Sequence, residues 1–279
     1  MTIVIAAMLS HGVAHATSAS MEAASEKRVV ALDYQAPTKM LLKATPNALH
    51  TSTDEGHTWH EQILPPSLAK SRVTDIAVSV HDPSLLFVAG ADSGVWRSND
   101  GGKNWVMANK GLPKGKVRAV TAHSTQAETV YAYVDGKGIF RSQDAGRHWR
   151  LMDSGPRQGI TQFIHSNMAG SMETGWLFAA TPKGVWRSMD CFCGWHRAGT
   201  SEVGYSSVTY DPTQPERVYA SSGTGLFVSA DGGEQWTALP AAPGSVTALI
   251  AAPDGYVYAA DKKELFRSAD RGATWEKME

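Results

Sequence analysis

The sequence predicts an all-β fold, a single six-bladed β-propeller, on three observations. First, one eight-residue pattern, Ser-x-Asp-x-Gly-x-x-Trp, returns six times. Its copies open at Ser52, Ser98, Ser142, Ser188, Ser229 and Ser268, and only the fourth departs from it, with Phe192 where Gly is expected. Second, the opening serines stand 46, 44, 46, 41 and 39 residues apart, close to the period of about 40–45 residues that a four-stranded blade requires. Third, the intervals hold short β-branched and aromatic runs bounded by Asp, Pro and Gly, the signals of strands and tight turns.

Taken in order, residues 1–27 read as a leader and residues 28–279 as the propeller. Its blades fall at about 28–66, 72–110, 116–154, 158–200, 205–240 and 244–279. The second blade is the plainest: strands at 73–79, 85–90 and 94–98, the eight-residue box as the next turn, then a fourth strand opening at Trp105. The same reading fits 117–121 with 129–134, 206–210 with 217–220, and 246–251 with 256–260. Each repeat thus supplies four strands in chain order, the box lies between the third and fourth, and no strand is borrowed to close the ring.

The box residues have a mechanical reading. An Asp at a turn accepts backbone N–H groups two residues on. The Gly reaches positive φ at little cost, the Ser satisfies a neighbouring backbone group, and the Trp packs between blades. This assigns structural work to Asp54, Asp100, Asp144, Asp190, Asp231 and Asp270 and to Trp59, Trp105, Trp149, Trp195, Trp236 and Trp275. Arg97, Arg141, Arg187 and Arg267 each precede a box Ser and are expected to cover the blade edge and pair with a neighbouring carboxylate; Thr51 and Val228 stand there in the other two blades.

Boxes preceded by Gly-Val-Trp-Arg at 94–97 and 184–187, or Gly-Ile-Phe-Arg at 138–141, resemble the BNR or Asp-box repeat. Families carrying it include sialidases, two-domain xyloglucanases and sortilin-type receptors. In size and blade density the chain is most similar to the photosystem II stability/assembly-factor-like propellers. That resemblance implies a non-enzymatic accessory or assembly factor of a membrane-associated protein complex, probing its partner through a face of the ring.

A sialidase needs an early aromatic-Arg-Ile-Pro motif, which is absent. A glycoside hydrolase needs two carboxylates at a set separation, for which Asp92, Asp135, Asp153 and Glu202 are candidates by loop position. A copper- or zinc-handling reading rests on Cys191, Cys193, Met189 and His196, a soft-ligand set in the irregular fourth box; its rivals are a local disulfide or two thiols filling a turn. No cofactor is assigned. The histidines lack metalloprotease spacing, and the Gly-Gly pairs belong to box turns.

A formal net charge of −1 excludes bulk-charge recognition of nucleic acid. The loops opposite the boxes nevertheless gather Lys and Arg. Lys114, Lys116, Arg118, Lys137, Arg157 and Lys183 are the expected partner contacts, with 114–118 the densest part. A basic rim attracts acidic protein segments. The short apolar run at 2–9 followed by Ala14-His15-Ala16 resembles a signal peptide and points to export, to a periplasm, lumen or exterior, of a chain that is monomeric by itself. Neither it nor any later segment has the roughly 20 apolar residues a membrane span needs.

Overall fold

A computed structural model describes residues 28–171, 175–192 and 194–278; the leader 1–27 and Cys193 lie outside the described residues. Six four-stranded antiparallel sheets form a six-bladed β-propeller, each sheet taking its strands in chain order. The first strands (Ala31–Gln35, Val73–Val78, Val117–Ala122, Gln162–Ser166, Tyr205–Asp211 and Ala248–Ala251) line the axis and touch one another in a closed cycle. Three of the second strands, Leu86–Gly90, Val130–Val134 and Val257–Ala260, are buried at every position. Sandwiched between neighbouring sheets on both faces, they read as continuous apolar runs rather than alternating ones. The fourth strands are short and exposed, as at Val106–Met107 and Thr237–Ala238.

Blades join along the axis by a repeated brace. A side chain near the start of one inner strand bonds backbone in the next: Asp33 accepts Val78 N–H at 2.8 Å, Asp75 accepts Val120 N–H at 3.0 Å, and Gln162 accepts Val208 N–H at 2.9 Å. Hydroxyls do the converse. Thr74 donates to the Val117 carbonyl at 2.8 Å and Ser206 to that of Val246 at 2.7 Å. Thr247 donates to the Val29 carbonyl at 2.9 Å, joining blade six to blade one. Around this seam Val29, Leu32 and Leu41 pack with Ala248, Tyr258 and Leu265, and Arg267 pairs with Glu55. The ring therefore closes by side-chain packing, with each terminal blade keeping its own four strands.

Two short elements among the described residues depart from the all-β expectation, a single 3-10 turn at Ala36–Thr38 and a helix. Between blades one and two, Pro66–Ser71 forms a short α-helix, α1. Pro at its first position is pre-set for helical φ, and Leu68 is wholly buried. The Ser71 hydroxyl accepts the Asp92 and Ser93 N–H groups, both at 2.9 Å, and so fixes the turn between the second and third strands of blade two.

The boxes work by a different reach from the one expected. In five of them the Asp accepts a backbone N–H four residues on, at 2.8–3.0 Å (Thr58, Asn104, His148, Gln235 and Thr274), rather than two. The box Ser donates to the same carboxylate oxygen and accepts the Gly N–H at 2.7–2.9 Å. At Gly146 the reason for glycine is visible: φ is +78°, and a Cβ would stand 3.0 Å from the Phe87 ring of the preceding blade. The Trp rings reach back the same way. Trp149 packs with Phe87 and Ala108 and donates to the Ala108 carbonyl at 2.7 Å.

Candidate functional site

The first strands leave a channel with a cavity at each mouth. On the face opposite the boxes a cavity of about 240 Å³ is lined by the starts of all six inner strands, with Arg28, Lys116 and Arg118 as its cations. The sequence places Lys116 and Arg118 on either side of Val117, so strand alternation sends both the same way, toward the axis. The Gly115 backbone lies against Val134 and Lys137, which brings Lys114 and Lys137 onto adjoining loops of blade three. Arg118 is not an isolated charge: its guanidinium meets Asp135 at 2.8 Å, both half-exposed. Arg157 and Lys183 stand in the loops leading into and within blade four and do not line this cavity. Arg28, which does, was missed because it precedes the first recognisable strand.

The box-face mouth holds a second cavity of about 210 Å³, with Tyr34, Tyr210, Ile164 and Ile250 among its walls and Asp33 at its edge. Burial raises the Asp33 pKa to about 7, against the pull of its two backbone N–H bonds. Asp75 at the basic mouth is likewise pushed well up by burial. Each of these two cavities therefore offers a single carboxylate, and each is engaged as an inter-blade brace.

A third constellation lies inside the wall between blades three and four. Asp190, the aspartate of the irregular box, does not bond its own turn as expected. It is buried, and its Oδ1 accepts a short bond from the Tyr131 hydroxyl, while His123 Nε2 and His165 Nε2 face Oδ2 at 3.5 and 3.7 Å. The two imidazoles stack at 3.8 Å. Ser188, released from the aspartate, donates to the Met189 carbonyl at 3.1 Å, and Phe192 takes the glycine position with φ +54°.

His123, His165 and Asp190 form the one His/Asp cluster with metal-ligand spacing among the described residues. Its protons argue against a metal. Backbone N–H groups of Thr125 and Gln126 point at His123 Nδ1 (3.1 and 3.2 Å), and that of Ser124 at His165 Nδ1 (3.1 Å). A nitrogen that accepts carries no proton, so the network assigns each neutral ring its proton on Nε2, aimed at Asp190. Metal-ligating histidines have the reverse arrangement, a bare Nε2 with Nδ1 donating. The cluster suits a buried carboxylate held ionised by three donors. Although burial opposes it, the His123 and His165 imidazoles facing Oδ2 and the Tyr131 hydrogen bond keep Asp190 well below the usual carboxylate range.

The remaining sequence candidates separate. Cys191 is disulfide-bonded, which corrects the soft-metal reading, since no thiolate is available there. Its companion Cys193 lies outside the described residues. Met189 ends the third strand of blade four, and His196 opens the exposed fourth. Of the loop carboxylates, Asp135 pairs with Arg118, and Glu202 with Arg197 at 3.2 Å. Asp153 accepts the Trp195 indole at 2.8 Å and the Gly155 N–H at 2.6 Å, and Asp92 lies in the turn fixed by Ser71. Asp135 and Asp153 share blade three, and none of the four lines either channel cavity.

Among known proteins, a family model described as "Sortilin-Vps10: Sortilin, neurotensin receptor 3" matches residues 93–168. No curated protein matches the chain significantly. Solved structures with a similar fold include the GH74 enzyme of Niastella koreensis (20% identity, TM-score 0.64) and the GH74 xyloglucanase of Xanthomonas campestris (19%, 0.64). Each covers 90% of this chain, while the chain spans 47% of either enzyme, about half its length. A structure of YCF48 bound to D1 peptide matches at 17% identity and TM-score 0.58, covering 91% of this chain and 82% of that one. YCF48 from Cyanidioschyzon merolae matches at 16% and 0.59, covering 91% and 85%. The chain is thus a six-bladed propeller whose structural neighbours include both YCF48 and GH74 enzymes.

Proposed function

We propose that this propeller is a non-enzymatic binding platform that presents the basic mouth of its channel to a protein partner, as an exported accessory or assembly factor of a membrane-associated complex. The observation that carries the reading is the clustering of Arg28, Lys116 and Arg118 around one cavity, with Lys114 and Lys137 on adjoining loops. Such a rim raises the local concentration of acidic segments and speeds their encounter. The neighbour YCF48, in a structure with a D1 peptide, supports a peptide-binding use of the fold. Among the described residues no helix is long and apolar enough to cross a membrane, which accords with recruitment to a complex by its partner.

Hydrolysis is the rival, favoured by the GH74 neighbours. Against it, Asp33 and Asp75 serve as single braces in their cavities, whereas glycoside hydrolysis needs a pair.

The test replaces Lys114, Lys116, Arg118 and Arg157 together by Glu. The tagged protein, crosslinked in the native membrane fraction, is expected to give one dominant partner joined through Lys114, Lys116 or Lys137. The charge-reversed variant should lose that partner with its melting temperature unchanged. Retention of the partner by the variant would overturn the basic-mouth reading. Turnover of xyloglucan by the unaltered protein, abolished in Asp33→Asn or Asp75→Asn variants that still fold, would overturn the non-enzymatic one.

A further inference from the structure

The arginines preceding the boxes form an internal series in which one member is incomplete. Arg97, Arg187 and Arg267 each reach across to the box of the next blade. Arg187 bonds the Gly232 carbonyl and pairs with Glu234, the sixth residue of that box. Arg267 pairs with Glu55 of the first box and with Glu276, directly opposite it on the neighbouring strand. Arg97 bonds the Ala145 carbonyl at 3.0 Å in the same manner. Yet the sixth residue of that box is Arg147, and the residue opposite Arg97 on the neighbouring strand is Val106. The three positions that supply a carboxylate elsewhere, the fourth and sixth of the box and the facing strand residue, hold Ala145, Arg147 and Val106 here.

What surrounds Arg97 is more positive charge. A cavity of about 210 Å³ between blades two and three is lined by Arg97, Lys110 and Arg147, with Met107 on its lip. Lys110 is held there because its carbonyl accepts the Trp149 N–H at 2.9 Å, which draws it to the box of blade three rather than to the basic mouth. The nearest carboxylate, Asp144, is occupied: Oδ1 takes Ser142 and the His148 N–H, and Oδ2 takes the His148 ring at 2.6 Å. Burial and then the neighbouring Arg147 lower the Arg97 pKa, against the opposing pull of Asp144. The Arg97 Nε is buried without a hydrogen-bond partner, as is that of Arg187, so the two differ in their facing charges rather than in this atom. Beside the cations, Val106 and Met107 are exposed at 51% and 63%.

We propose that this groove is an anion site, separate from the channel mouth, that takes a side-chain carboxylate from an acidic peptide segment whose apolar neighbours cover Val106 and Met107. The fork of Arg97 with Arg147 suits a carboxylate held by charge-assisted bonds, and the apolar lip selects a peptide over a free anion.

The probe is a fluorescent peptide of alternating Leu and Glu, with an otherwise identical Leu and Gln peptide as control. The unaltered protein is expected to bind the Glu peptide about tenfold or more tightly than the Gln peptide, the discrimination that charge-assisted bonds supply. Arg147→Glu recreates the Arg187–Glu234 arrangement, so it should fold with undiminished melting temperature and lose Glu-peptide binding. Arg147→Lys should retain most of it. With the channel mouth reversed by Lys114→Glu and Lys116→Glu, the Glu peptide should still bind and Arg147→Glu should still abolish that binding, which separates this site from the channel mouth. Equal binding of the two peptides, or unchanged binding by Arg147→Glu, would overturn the site. Sodium sulfate that displaces the peptide at equal ionic strength and binds as tightly alone would overturn the peptide occupant in favour of a small oxyanion.

Discussion

Five boxes and one share a sequence pattern but solve different problems. In the five, the aspartate is the hub of its own turn. It gathers Ser and backbone donors within a few residues, and Asp54, Asp100, Asp144 and Asp270 are further bonded by the side chain four residues on. In blade four the same aspartate faces inward and gathers Tyr131, His123 and His165, two of them from the preceding blade. One arrangement fixes a turn and the other fixes an inter-blade wall. Motif identity therefore gives the place of a residue in the chain repeat, while the surrounding donors decide what it holds.

That difference can be broken by experiment, beginning with Asp190→Ala. Removing a buried carboxylate strands three donors, so the loss should be about 3–5 kcal/mol by chemical denaturation. Asp100→Ala, which opens a solvent-facing turn, should cost clearly less; the reverse order would end the distinction. A smaller effect is expected from Phe192→Gly. It relieves a positive φ but removes a ring that packs beside Tyr131 at 6.2 Å, for a net loss of about 1 kcal/mol. A gain in stability would mean that Phe192 is merely tolerated and that the regular turn is the preferred state.

The smallest effect concerns acid. Hydrogen bonds from the Asn104 backbone, the Asn104 side chain and Ser98 lower the Asp100 pKa to about 2, below the unfolded value of about 3.9. A lowered folded-state pKa gives stability present above about pH 4 and lost as pH falls through about 2. Asp100→Asn should flatten that part of the acid limb; an unchanged acid limb would remove Asp100 from it.

The propeller was legible because its signal repeats: six boxes in phase, with glycines forced by contacts such as that between Gly146 and Phe87. The Asp190 cluster was not, since its donors lie 67, 59 and 25 residues away in sequence (190−123, 190−131, 190−165). Two clues existed. Phe192 announced a rebuilt turn, and His123 and His165 stand 42 residues apart (165−123), nearly one blade period, which carries both to inner-strand ends of successive blades. The basic loops were countable as charge, but pairing is a three-dimensional property. Asp135 reaches Arg118, and the Trp149 backbone draws Lys110 to the outer groove. Arg97 looked like its counterparts until the residues facing it could be compared.

The seam between the last blade and the first has a wider consequence. Five of the six inter-blade contacts are tethered by the chain, which keeps their faces close whatever the local strain; the sixth, at Thr247 and Val29, has no such leash. Its two faces meet only if the rotations of all the blades sum to one full turn. A small angular error in any wall, including the one around Asp190, must therefore reappear at the seam as a gap. The ring acts as a vernier, adding up local errors at the one joint where the chain cannot hide them.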